Sequence, residues 1–308
     1  MKIKIGTRGS KLALWQAQKV KRLLKDQNID SEIITIETKG DKILDVSLSK
    51  IGSKGVFTEE IEEQLKNGSI DIAVHSAKDL QSSLPEGFEI IAFDKREKTN
   101  DILLGDSTVD LNDPNLVLGT SSTRRLAFLS KYHPHVKTTP VRGNLQTRIR
   151  KMKEGDCNAL WLAYAGAHRM GYDDLIIHQF DNSEVIPAVG QGSIAIEVYN
   201  TLSQDKKDLL RSTLNDKETE TCILSERAFL NKMEGGCSVP VYALATLKEN
   251  VLTITGGVIS LDGQKQITKT CHSTSNAAVK AGSTLANSVL ENGGKEILIE
   301  IKKTLSNS

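Results

Sequence analysis

The sequence predicts an α/β fold: two successive runs of alternating strands and helices followed by a small α+β module. Three observations predict it. Short apolar runs alternate with amphipathic helical stretches from residue 2 onward. A charged connector, Asp94 to Asn100, interrupts that alternation, which then restarts. Beyond residue 240 the pattern changes to three strands with short turns and two helices.

Taken in order, Lys2 to Ile5 alternates as a strand, and Gly6-Thr7-Arg8-Gly9-Ser10 breaks it. Ser10 is a natural N-cap for a helix whose apolar face is Ala13, Ala17, Val20 and Leu24. Strand, glycine turn and helix N-terminus in succession make an anion site, because free backbone N–H groups point out of the turn. Arg8 sits in that turn; the dinucleotide fingerprint GxGxxG is absent. Ser31 to Glu37 is a second strand. Lys39 to Gly55 reads as a polar loop carrying Lys39, Lys42, Lys50 and Lys54. Phe57 to Lys66 is a helix stopped by Gly68, and Ile70 to Val74 is a buried strand.

That strand runs into His75-Ser76-Ala77-Lys78-Asp79. Ligands gather at the carboxyl ends of strands in open α/β sheets. Asp79 is either an Asx-turn residue or a functional carboxylate beside Lys78. Phe88 to Phe93 closes the first run. Strands over 116–118, 136–141 and 158–163 follow, with Gly119-Thr120-Ser121-Ser122 as a capping turn. Pro187, Gly190 and Gly192 mark a second hinge-like passage before a strand at 194–198. A helix at 202–214 and a long helix from Glu218 to Met233 come next. Tyr242 to Leu247, Val251 to Ile259 and Gln264 to Cys271 form an antiparallel meander, with helices at 275–290 and 295–305.

Arg8, Arg124, Arg125, Arg142 and Arg148 all fall just past strand ends or in first helical turns, with Arg169 close behind. Cations oppose the macrodipole there, so their recurrence predicts an external anion, carboxylate or phosphate. The chain of 308 residues has a net charge of only +1, so such a site must be a local cluster. Bulk charge gives no argument for nucleic acid or membrane, and no apolar run reaches a spanning length. The cytoplasm is the expected compartment. The four cysteines and six histidines show no metal-ligand spacing, so no protein metal site is expected. Cys237 stands after Glu234-Gly235-Gly236, where paired glycines permit a sharp turn. Its thiol is a nucleophile, an attachment point or a small buried hydrophobe.

Seven motifs in order carry a family resemblance. They are Thr7-Arg-Gly-Ser-Lys-Leu-Ala-Leu-Trp-Gln-Ala17, Gly52-Ser-Lys-Gly-Val-Phe57, Val74-His-Ser-Ala-Lys-Asp79, Gly119-Thr-Ser-Ser-Thr-Arg-Arg125, Arg142-Gly-Asn144, Pro187-Ala-Val-Gly-Gln-Gly192 and Glu234-Gly-Gly-Cys237. The chain resembles the porphobilinogen deaminase (hydroxymethylbilane synthase) family over nearly its whole length. The resemblance implies two lobes like those of type II periplasmic binding proteins, with doubly wound mixed sheets, plus a C-terminal α+β domain holding a three-stranded antiparallel sheet. It divides the chain into 1–95 with 194–215, 99–189, and 216–308.

It also implies a transferase that joins four porphobilinogen molecules on a dipyrromethane cofactor, releasing hydroxymethylbilane and ammonia. Cys237 would hold that cofactor through a thioether, and Asp79 would be the catalytic carboxylate. Cofactor and substrate carboxylates would be bound by Arg8, Lys78, Arg124, Arg125, Arg142, Arg148 and Arg169. Ser10, Ser76, Ser122, Gly143 and Gln191 would add polar contacts, and Lys50 and Lys54 would lie in a loop covering the cleft. A monomer without an obligate protein partner is implied. Gln81, Asn158, Ala167 and Tyr242 depart from the family pattern, where proline, aspartate, leucine and glycine are usual. A non-catalytic two-lobed anion-binding protein explains the arginines but not Cys237. A cysteine hydrolase lacks a histidine in a base motif.

Overall fold

The computed structural model describes residues 2–42, 58–236 and 239–306. The chain forms two compact units, residues 1–97 with 192–220, and residues 98–191 with 221–308.

The first unit is built on the sheet β2-β1-β3-β10-β4. Its strands are β1 (Lys2–Arg8), β2 (Asp30–Ile36), β3 (Ile72–Ser76), β4 (Phe88–Phe93) and β10 (Ile194–Tyr199). β1 is parallel to β2 and β3, whereas β10 is inserted antiparallel between β3 and β4. Helix α1 (Lys11–Asp26) buries Ala17, Val20 and Leu24 of the expected face together with Gln16, while Ala13 is half-buried. One apolar layer joins α1 to Ile3, Ile5, Ile72, Val74, Ile194 and Ile196. Helix α2 (Glu59–Lys66) covers the other sheet face through Ile61 and Leu65, against Ile36, Ile70 and Ala73. Lys39–Lys42 forms one helical turn where a loop was expected.

The second unit holds the sheet β7-β6-β8-β5-β9. Its strands are β5 (Asp101–Leu104), β6 (Val117–Gly119), β7 (Lys137–Thr139), β8 (Ala159–Ala163) and β9 (Ile176–Gln179). β6 is parallel to β7 and β8, and β5 is inserted antiparallel between β8 and β9. Both mixed sheets therefore share one arrangement. In the first the inserted strand comes last, and in the second it comes first. Neither β5 nor β9 was expected from the sequence, because four residues are too few to display a period. Helices α3 (Thr123–Tyr132), α4 (Leu145–Lys153) and α5 (Tyr164–Arg169) follow β6, β7 and β8.

Two further helices, α6 (Gln204–Leu214) and α7 (Lys217–Lys232), lead into the antiparallel sheet. That sheet is β11 (Val241–Lys248), β12 (Val251–Ile259) and β13 (Gln266–Thr274), backed by α8 (Ala278–Val289) and α9 (Lys295–Ser306). Its core runs from Phe229 and Met233 through Ile254 and Val258 to Leu285 and Ile297. The α+β module expected after residue 240 is present.

The departures from the family pattern have structural consequences. Tyr242 is fully buried, 5.1 Å from Phe128 of α3 between ring centroids. Its hydroxyl meets Thr268 Oγ1 at 2.8 Å and accepts from Gln266 Nε2 at 2.6 Å, while burial pushes it up to about 12. It ties the antiparallel sheet to the second mixed sheet, which is one reason both belong to one unit. Asn158 accepts from Val117 N at 2.8 Å, a bond an aspartate could make equally. Ala167 is fully buried beneath Leu160 and Leu162.

Glu226 of α7 is fully buried and accepts from Gly190 N and Ala245 N, each at 2.8 Å. Glu226→Ala would orphan both amides and open a cavity. It is expected to cost about 3–5 kcal/mol of unfolding free energy. Urea titration of the purified variant checks this, and a loss below about 1 kcal/mol would be incompatible with the bonds described.

Candidate active site

β1 ends at Arg8, and Ser10 caps α1, its Oγ accepting from Ala13 N at 3.3 Å. Two turns into the helix sequence, Gln16 is only 2 % exposed, and its Nε2 donates to Ser76 Oγ at 2.8 Å. That bond fixes the carboxyl end of β3 against α1. Beyond it, Ala77–Asp79 forms a single 3-10 turn, held by Ala77 N donating to Ser193 O at 3.0 Å. Lys78 is half-buried on this turn and Asp79 is exposed. Arg8, Ser10, Gln16, Ser76 and Asp79 thus line one pocket, with His75 and Thr58, of about 450 Å³ counted to its open mouth. It lies at the carboxyl ends of two adjacent parallel strands, the place where such sheets take ligands.

A buried polar cluster borders this pocket, and sequence reasoning missed it. His75 Nε2 lies 3.0 Å from Glu197 Oε2, and Glu197 is fully buried. Glu62 of α2 is nearly buried beside them, and burial raises its carboxyl above the ordinary value, with the Glu197 charge adding. The Thr58 hydroxyl opposes that rise at Glu62, and among the described residues Glu197 Oε1 has no hydrogen-bond partner. A carboxylate inside the apolar run Ile194-Ala-Ile-Glu-Val198 was the available signal.

In the second unit, Arg124 and Arg125 open α3, where Ser122 is the N-cap residue without a side-chain capping bond. Both arginines are buried and both bind Asp101 of β5: Arg124 Nη2 at 2.6 Å and Arg125 Nη2 at 2.7 Å. Gln191 Nε2 reaches the same carboxylate at 3.1 Å and Thr99 O at 2.6 Å. Burial would raise the Asp101 carboxyl, but the two guanidinium groups hold it far below the usual range. Its contribution to stability is therefore complete above about pH 4 and is lost only as pH falls through the depressed folded-state value.

Ahead of α4, Arg148 Nε donates to Gly143 O at 2.8 Å, and Asn144 caps the helix by accepting from Thr147 N at 2.9 Å. Gly143 has φ +105, and a Cβ there would meet Thr147 at 2.8 Å, so this position requires glycine. Arg142 is half-buried two residues ahead of the cap, and Arg169 is buried at the end of α5.

Lys50, Lys54 and Cys237 lie outside the described residues. The chain on either side of Cys237 is anchored. Gly235 N donates to Leu230 O at 3.0 Å, and Val239 N donates to Gly236 O at 3.0 Å. A Cβ on Gly235 would come within 2.5 Å of Leu230 Cδ1 and 3.3 Å of Val241 Cβ, so a larger residue there would displace the Leu230 side chain. Glu234, with φ +49, is paired to Lys302 Nζ at 2.6 Å.

The structure thus gathers Arg8, Ser10, Ser76 and Asp79 in one place, and Arg124, Arg125 and Gln191 in another. Guanidinium and hydroxyl donors with one exposed carboxylate suit a ligand that carries both acidic arms and N–H groups. The family model described as "Porphobilinogen deaminase, dipyromethane cofactor binding domain" matches residues 3–207, and "Porphobilinogen deaminase, C-terminal domain" matches residues 220–291. A porphobilinogen deaminase of Cytophaga hutchinsonii is 54 % identical, over 99 % of both chains. One of Desulfosudis oleivorans is 51 % identical, over 98 % of this chain and 99 % of its own. Among solved structures, the second substrate-binding domain of a putative amino acid ABC transporter from Streptococcus pneumoniae has a TM-score of 0.44. It is 13 % identical, covering 69 % of this chain and 91 % of that one.

Proposed function

The chain belongs to the porphobilinogen deaminase family, and on that premise we propose that it deaminates porphobilinogen and joins four molecules head to tail on a covalently held dipyrromethane. Hydroxymethylbilane and ammonia are the products. The pocket of the first unit carries this reading, because Asp79 shares it with Arg8, Ser10 and Ser76. Arg8 takes a ring carboxylate, and the two serines orient the ring. Asp79 accepts from the pyrrole N–H and stabilises the positive charge that develops as ammonia departs. Arg124, Arg125, Arg142, Arg148 and Arg169 receive the remaining acidic arms, with Lys78, Ser122, Gly143 and Gln191 assisting. Cys237 is the attachment residue, and Lys50 and Lys54 belong to the covering loop. The bound dipyrromethane supplies the free pyrrole carbon to which the first substrate is joined. The division into 1–95 with 194–215, 99–189 and 216–308 separates the Asp79, arginine and Cys237 segments. In this reading the chain works as a monomer in the cytoplasm. Among the described residues, no helix is long and apolar enough to cross a membrane.

Mixing the purified protein with porphobilinogen should release four ammonia per hydroxymethylbilane. Binding without ammonia release would favour a two-lobed carboxylate-binding protein instead. Arg142→Leu removes one guanidinium without touching the Asn144 cap. It should raise KM or lower cofactor loading by about 10- to 100-fold, the worth of one charge-assisted bond. Unchanged KM and loading would remove Arg142 from the site.

A further inference from the structure

Two arginines expected to bind carboxylates, and Gln191 expected as a polar contact, converge on a fourth residue that the expected chemistry does not use. Asp101 is fully buried where it opens β5. It accepts from Arg124 Nη2 at 2.6 Å, from Arg125 Nη2 at 2.7 Å and Nε at 3.2 Å, and from Gln191 Nε2 at 3.1 Å. Backbone carbonyls fix the other end of each fork, Ile186 O for Arg124 Nη1 and Trp161 O for Arg125 Nη1, both at 2.9 Å. Two guanidinium groups so close repel each other strongly when buried, and one carboxylate between them offsets the repulsion. One negative charge against two positive leaves a net charge of one. Among the described residues Arg124 Nε is buried without a partner, so one donor of the pair is unspent.

We propose that Asp101 is a positioning residue for anion binding: it fixes the guanidinium planes of Arg124 and Arg125 and cancels one of their charges, so that the pair meets a single ligand carboxylate. This rests on the reading that these arginines receive substrate or cofactor carboxylates. The device makes the site reversible. A doubly charged pair would hold the acidic arms of a growing product too tightly, and a neutral one would not attract them. The carboxylate also removes rotamer freedom from two long side chains before the ligand arrives, which lowers the entropic cost of binding.

The test uses the holoenzyme and measures kcat and KM for porphobilinogen across a series of ionic strengths. Asp101→Asn leaves a net charge of two, so KM should depend more steeply on salt than in the wild type, and kcat should fall at least about tenfold as the planes lose alignment. Asp101→Glu keeps the charge but displaces it, so the salt dependence should match the wild type while kcat falls. A purely architectural Asp101 would lower the melting temperature in either variant yet leave kcat per folded molecule and the salt dependence of KM unchanged. That result overturns the proposal. If Asp101→Asn does not fold, Asp101→Glu decides alone, and wild-type kcat in it overturns the proposal. A wild-type protein that releases no ammonia would instead defeat the underlying reading.

Discussion

Asp79→Asn is expected to lower kcat by about 10²- to 10³-fold, in line with loss of one group aimed at developing charge. The substitution is nearly isosteric, and an amide oxygen still accepts from a pyrrole N–H. What it removes is the negative charge. The turn does not depend on that side chain, because Ala77 N bonds to Ser193 O at 3.0 Å and Leu80 N to Ala77 O at 3.4 Å. Ala77 and Leu80 are buried on either side and hold the turn from within, although Gln81 stands where proline is usual. Covalent loading and fold should therefore survive, and the loss should appear in kcat with little change in KM. Steady-state kinetics on fully loaded protein checks this. Turnover within a factor of about three of the wild type would exclude Asp79 as the central charged group.

Cys237→Ser is expected to abolish turnover. A serine hydroxyl remains un-ionised near neutral pH and is a far weaker nucleophile than a thiolate, so no thioether can form. The flanking backbone bonds at Gly235 and Val239 involve no side chain of residue 237, so the surrounding loop should fold. Of the other three cysteines two are closed off, while Cys271 is half-buried on β13. Cys157 and Cys222 are buried, and burial pushes the Cys157 thiol up to about 11. Progress curves for ammonia release should stay at background. Sustained turnover would make the cysteine dispensable.

The strands and helices with a clear period were legible in the sequence. Phe88–Phe93 and Val251–Ile259 match their expected bounds, and Ser10 caps α1 as expected. β5 and β9 were not legible, because four residues carry no clear alternation and are strands only through their neighbours. Asp79 and Arg8 were visible through position at strand ends. Gln16, His75 and Glu197 were not, because a polar residue becomes informative only once burial is known. The same holds for Asp101. Its sequence context is a charged connector, and its role arises from the insertion of β5 beside the start of α3. Tyr242 departs from the family pattern, and only the structure shows that its ring fills the space against Phe128.

The most direct measurement is the intact mass of the purified protein beside that of Cys237→Ser. The wild type should exceed its sequence mass by two linked pyrrole units, and the variant should show none of that excess. An unmodified wild type that still produces hydroxymethylbilane would contradict assembly on a covalently held dipyrromethane.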